Sequence, residues 1–188
     1  MKPFCCSVTF LSCGLLFTAM QLEGSQAIRM TLADLVKRAD VVAIGRCESC
    51  VPSWNHAKKR IYTTITIKVS EYLKGSLGPK FYIRQIGGRI GTKEMRVPGM
   101  PLFRPGAEFV IFLAKADDGS YHVVGLSQGL FEVFTDTIIG QKVVRKRRFD
   151  GLKMLGAADG SVKKETNVWP MTLETFKSKV KEQLRGDN

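Results

Sequence analysis

The stretch Ile61-Tyr62-Thr63-Thr64-Ile65-Thr66-Ile67-Lys68-Val69 decides the fold class. Ile61, Thr63, Ile65, Ile67 and Val69 alternate with Tyr62, Thr64, Thr66 and Lys68, a period of two held over the whole stretch. Successive side chains of a strand point to opposite faces, so the pattern predicts a β-strand with one buried side. The β-branched residues that fill it suit a pleated surface. The strand continues through Glu71-Tyr72-Leu73-Lys74-Gly75 and stops at the turn Gly78-Pro79.

Further strands flank it. Val41-Val42-Ala43-Ile44 reads as a buried strand, with Gly45 marking a bulge or bend. Ser53 to Lys59 reads as a polar loop, and Phe81 to Ile86 as a third strand. Phe109-Val110-Ile111-Phe112-Leu113 is almost continuously apolar, as a central strand is. Asp117-Asp118-Gly119 is a hairpin signal leading into Tyr121 to Val124. Leu130 to Phe134 and Lys142 to Val144 are further short strands. Gly87, Gly88 and Gly91 read as a sharp turn or bulge, since no Gly-Lys-Ser/Thr follows to cradle a phosphate.

Helices are expected only near the ends. Thr31 is an N-cap with Asp34 in capping-box spacing, and Leu32, Leu35, Val36 and Ala39 line one face of a helix that ends at Asp40. Beyond Phe149 the glycines 151, 156 and 160 make a linker-like stretch. Thr172 then caps a helix with Leu173, Phe176, Val180 and Leu184 at helical spacing, ending at Gly186. The fold class is therefore all-β with short terminal helices. The architecture expected is an OB-fold-like antiparallel β-barrel, closed or partly open, with a C-terminal amphipathic helix.

Composition narrows the class. The 188 residues carry 29 Lys and Arg against 17 Asp and Glu, a net charge of +12, with 44% apolar residues. Wholesale disorder, collagen-like repeats and a polytopic membrane protein are excluded, and the length suits one domain. The N-terminus reads as a secretory signal. Lys2 is followed by an uncharged stretch from Phe4 to Met20, and Ser25-Gln26-Ala27 fits a cleavage site after Ala27. Ser7, Thr9, Ser12, Gly14 and Thr18 interrupt that stretch too often for a spanning helix of about 20 apolar residues. The expected organisation is a signal peptide (1–27), a barrel domain with an N-terminal helix (28–150), and a linker with a C-terminal helix packing on the barrel (151–188). The expected location is secreted or periplasmic, with no integral membrane span after cleavage.

Cys5, Cys6 and Cys13 leave with the leader, so Cys47 and Cys50 remain. They are candidates for a disulfide, which an oxidising compartment would preserve. In one extended strand they would sit about 10 Å apart, whereas a bridge needs Cα atoms within about 7 Å. Either the chain turns at Glu48-Ser49 and the pair bridges, or the strand continues and both stay reduced on opposite faces. A thioredoxin-like pair would need a helix start, which Val51-Pro52-Ser53 does not resemble, and a zinc site would have only His56 and His122 to complete it.

The order of these segments resembles that of a known superfamily. Ala39-Asp40-Val41-Val42-Ala43-Ile44-Gly45, the long strand ending Tyr72-Leu73-Lys74-Gly75, Pro105 to Leu113, and the hairpin ending Val123-Val124-Gly125 are similar to the netrin-like module and to the tissue inhibitors of metalloproteinases. The resemblance spans about residues 39–125 and implies an OB-fold barrel. The loops of arginine, glycine and proline also resemble an uncharacterised group of secreted bacterial proteins. The inhibitors chelate the protease zinc through an N-terminal cysteine and rely on several disulfides. The expected mature chain instead begins Ile28-Arg29-Met30, so the resemblance implies the fold and does not carry over the inhibitory residues.

Catalysis has little to stand on. His56 lies in a polar loop and His122 in a short strand, and neither accompanies a nucleophile or metal motif. No catalytic residue, metal site or cofactor is expected, and the chain is read as a non-enzyme. The basic residues cluster in two places: Arg84, Arg89, Arg96 and Arg104 across the third strand and the following loop, and Arg145-Lys146-Arg147-Arg148 at a strand end. With Tyr62, Phe81 and Tyr82 for stacking, these suit an anionic polymer on a barrel face. The loop from Val97 to Gly106, stiffened by Pro98, Pro101 and Pro105, carries Met100, Leu102 and Phe103 either to meet a protein or to cap the barrel core. The reading is an exported, non-enzymatic binding module for an unknown extracellular protein or anionic polymer, with intracellular nucleic acid not expected. The alternatives are a metalloproteinase-inhibitor-like protein and a polyanion-binding barrel for glycan or nucleic acid.

Overall fold

Thr31 and Asp34 exchange the two hydrogen bonds of a capping box, Asp34 N–H to Thr31 Oγ1 at 3.2 Å and Thr31 N–H to Asp34 Oδ2 at 2.9 Å. They start helix α1 (Leu32–Arg38) where the sequence places it. The computed structural model describes residues 26–146, 153–155 and 169–186. Around α1 run strands β1 (Gln26–Ile28), β2 (Val41–Trp54), β3 (Ile61–Lys74), β4 (Lys80–Ile86), β5 (Gly88–Ile90), β6 (Lys93–Met95), β7 (Glu108–Lys115) and β8 (Tyr121–Val123). They are followed by β9 (Leu130–Thr135), β10 (Lys142–Lys146), β11 (Lys153–Leu155), β12 (Met171–Thr172) and helix α2 (Leu173–Gly186). The main sheet runs β12-β10-β9-β7-β2-β3-β4, with β8 also on β7, and all its pairings are antiparallel. The sheet does not close, so the barrel is partly open.

The strand β2 is longer than the sequence predicts. It passes through Ser49, Pro52 and Ser53 as far as Trp54, paired with β3 throughout, so the expected loop from Ser53 begins two residues later. Beyond Arg46 the other side of β2 no longer pairs with β7. Pro52, which lacks an N–H, is tolerated on that free edge. Register shifts interrupt the β2–β3 ladder at Val42/Ala43, Ile44/Gly45 and Cys47/Ser49. The second is the bend expected at Gly45, where a Cβ would meet Ile67 Cγ2 and the Lys68 carbonyl oxygen at 2.7 Å.

The two sides of the sheet bury separate cores. On one side α1 and α2 pack Leu35, Val36, Phe176 and Val180 against Val42, Val110, Phe112 and Phe131. The helical spacing of Leu173, Phe176, Val180 and Leu184 is the stripe that α2 turns to this core. Inside the barrel, Ile65, Ile67, Phe81, Ile83, Phe109 and Ile111 fill the other core. Phe81 is therefore interior and not a stacking platform, because it occupies the inward parity of β4.

Several short elements depart from expectation. The glycine-rich turn is a two-stranded hairpin, β5–β6. Part of the expected linker is β11, paired in parallel with β1. The expected cleavage point after Ala27 falls within β1. Residues 1–25, which hold most of the expected signal peptide, lie outside the described residues, as do Arg147 and Arg148 and most of the linker. Among the described residues no helix is long and apolar enough to cross a membrane.

Candidate binding cleft

At one end of the barrel the inward rows change from apolar to polar. Ile67 faces Phe81 and Ile65 faces Ile83, but the next inward pair is Thr63 and Gln85. Thr63 Oγ1 donates to the Gly87 carbonyl at 2.7 Å. Gln85 Nε2 donates to the Pro101 carbonyl at 2.9 Å, tying β4 to the loop from Val97 to Gly106. The other amide atom, Gln85 Oε1, is buried without a donor. Gly88 lies against Thr63 with φ +140°, and any Cβ there would strike the Thr63 hydroxyl. This close approach brings the β5–β6 hairpin over the barrel end.

The hairpin, the loop and the barrel end enclose a cleft of about 740 Å³. Its walls combine Cys50, Pro52 and Ile65 from the barrel, Met95 and Met100 from the overhang, and Phe103 and Leu130 at the base. Arg89 and Arg96 also line it. Arg89 Nε donates to the Gly91 carbonyl at 3.1 Å, and Arg96 Nε pairs with Glu94 Oε1 at 2.6 Å. Apolar walls with a few convergent polar groups are the usual lining of a ligand site, and the volume lies in the range such sites occupy.

The structure divides the basic residues differently from the sequence. Arg84 points away from the barrel interior and stacks over Tyr62 at 4.4 Å from the ring centroid. Arg89 and Arg96 both line the cleft. Arg104, by contrast, joins the second cluster: it closes on Glu132 Oε1, while Arg145 Nη2 donates to Glu132 Oε2 at 3.1 Å and lies over Phe134 at 4.8 Å. Lys146 ends β10 opposite Phe131. Phe103 is 6% exposed and packs edge-on against Phe109 at 5.4 Å, whereas its neighbour Leu102 is 58% exposed. The loop thus caps the core with Phe103 and leaves Leu102 outside it.

Cys47 and Cys50 follow the second expected course except in their facing. The strand continues, yet the register shift inserts one extra residue, so Cys47 faces Ile67 and Cys50 faces Ile65 on the same side of the sheet. Their sulfurs lie 3.5 Å apart as free thiols. Burial, reinforced by the neighbouring Cys50, pushes the Cys47 thiol up to about 12. Burial also raises Cys50, against a hydrogen bond from Cys47 that lowers it.

The sequence reading missed Gln85, Thr63 and Glu132. Each carries a signal. Thr63 and Gln85 interrupt otherwise apolar inward rows, and Glu132 is a lone acid in the apolar run Leu130 to Phe134. His56 sits in the connection between β2 and β3, and His122 is exposed on β8. Among the described residues no three His, Cys, Asp or Glu side chains gather as a metal site. No family model, no curated protein and no solved structure matches the chain.

Proposed function

We propose that this chain is an exported, non-enzymatic binding module that takes its ligand in the cleft beneath the β5–β6 hairpin. The observation that carries the reading is the cleft itself: about 740 Å³, largely apolar on its walls, with Arg89 and Arg96 in its lining. That chemistry suits a ligand with an apolar body and an anionic end. Among the described residues, Glu94 is the only carboxylate in the lining, and it is paired with Arg96. Export rests on the leader-like residues 1–27, and the netrin-like resemblance supplies the barrel context.

The test uses anilinonaphthalene sulfonate, an apolar fluorophore with one anionic group. Saturable enhancement at one probe per chain, weakened about tenfold by joint Arg89→Gln and Arg96→Gln, is the expected result. Enhancement that does not saturate, or that ignores both substitutions, rejects the cleft as the site.

A second reading, polyanion binding, has its own observation. Strands β3 and β4 turn Tyr62, Thr66, Tyr82 and Arg84 to the outside, with Tyr82 65% exposed and Arg84 over Tyr62. An exposed tyrosine and a half-buried one on either side of a guanidinium offer surfaces on which sugar rings or bases stack.

A further inference from the structure

We propose that Cys50 and Cys47 form a two-thiol disulfide-exchange site in the wall of the cleft, with Cys50 meeting an incoming disulfide and Cys47 resolving it. This inference does not depend on what the cleft otherwise binds.

The bulge at Glu48 creates the site. Two residues of β2, Glu48 and Ser49, lie between the cysteines, but only one residue of β3, Thr66, lies between their partners Ile67 and Ile65. The extra residue puts both thiols on one side, 3.5 Å apart. A disulfide requires the sulfurs to approach to about 2.05 Å, a movement that side-chain rotation supplies across such a gap. The two thiols differ in access. Cys50 is half-buried and lines the cleft, whereas Cys47 is wholly buried behind it. Cys47 is also fixed by its backbone, whose N–H donates to Ala107 O at 2.9 Å and whose carbonyl accepts from Gly106 N at 2.8 Å.

The order of steps follows from access. Cys50 loses its proton to solvent and attacks one sulfur of an external disulfide such as oxidised glutathione. That S–S bond breaks, one thiol leaves, and a mixed disulfide remains on Cys50. Cys47 then loses its proton and attacks the Cys50 sulfur, expelling the second thiol and closing the Cys47–Cys50 bond. Two protein thiols are oxidised and the external disulfide is reduced to two thiols. Burial disfavours both thiolates, so exchange is slow at neutral pH, and the closed bridge resists reduction because its reduction would regenerate poor thiolates.

Trypsin cleavage after Arg46 and Lys58 isolates both cysteines in one peptide, Cys47 to Lys58, free of Cys5, Cys6 and Cys13. The full chain, treated with oxidised glutathione at mildly alkaline pH and then alkylated, should yield this peptide lighter by two hydrogens than its dithiol form. In Cys47→Ser the same peptide should stop as a glutathione adduct on Cys50. In Cys50→Ser, Cys47 should react at least about tenfold more slowly. Pulse alkylation of the unmodified chain gives a readout without variants: Cys50 should label at least about tenfold ahead of Cys47. Equal labelling of the two thiols, separate glutathione adducts on both, or an unchanged peptide would each overturn the proposal.

Discussion

Glu132, 6% exposed in the apolar strand β9, accepts a hydrogen bond from Arg145 of the neighbouring strand at 3.1 Å. Arg104 closes on its other oxygen. One carboxylate thus gathers arginines from two clusters that are far apart in sequence, and it neutralises part of the charge that makes the chain look like a polyanion binder. A buried acid without partners is costly, and charge-assisted hydrogen bonds offset that cost.

Substituting Glu132→Gln should lower stability by about 1–3 kcal/mol, because both arginines keep their charge while their acceptor becomes neutral. Urea unfolding reads this directly. The same variant should leave a heparin column at higher salt than the unmodified chain, since two guanidiniums are released. Elution at unchanged salt would mean that Glu132 does not restrain them.

The contrast between Glu132 and the strands shows which features the sequence made legible. Local patterns were readable: the alternation from Ile61 to Val69, the capping box of α1 and the apolar stripe of α2 each depend on residues a few positions apart. The course of β2 was not, since Ser49 and Ser53 are polar and only pairing with β3 makes them a strand. The cleft was obscure for the same reason. Its walls come from β2, β3, β4, the hairpin and the loop, and no local period links Cys50 to Met100. Polar residues at inward positions, Thr63 and Gln85, were the available clue.

On the outer face of the barrel, Arg84 over Tyr62 and the exposed Tyr82 define the surface on which an anionic polymer would lie. Arg84→Gln should reduce the salt needed for elution from heparin and flatten the salt dependence by about one charge. Tyr82→Ala should weaken binding to a single-stranded oligonucleotide by about 1–3 kcal/mol. Arg145→Gln, whose charge is already engaged by Glu132, should have the smaller effect. If it matches Arg84→Gln, the contact extends to β10.

Phe103 and Leu102 are neighbours with opposite roles. Phe103 fills the barrel end against Phe109, so Phe103→Ala should cost about 3–5 kcal/mol through lost burial and the cavity left behind. Leu102 faces solvent, and Leu102→Ser should change stability by less than about 0.5 kcal/mol. Thermal unfolding of the two variants side by side separates a loop that caps the core from one that merely covers it. Equal losses would place Leu102 in the core as well.

The buried thiol of Cys47 also fixes a pH dependence in reducing conditions. Its titration is raised from 9.0 to about 12 in the folded chain, by burial first and by Cys50 next. The unfolded chain therefore releases this proton first as pH rises, so the folded state binds more protons over the interval between the two values. Stability is fully retained below about pH 9 and falls as pH climbs toward 12, with a slope of at most about 1.4 kcal/mol per pH unit for one thiol. Cys50, raised in the same direction, adds to the fall. Urea unfolding from pH 8 to pH 10.5 with a phosphine reductant should show this decline, and Cys47→Ser, which removes the titrating group, should flatten it. A decline of the same steepness in both proteins would assign the alkaline loss to other groups and leave Cys47 without a part in it.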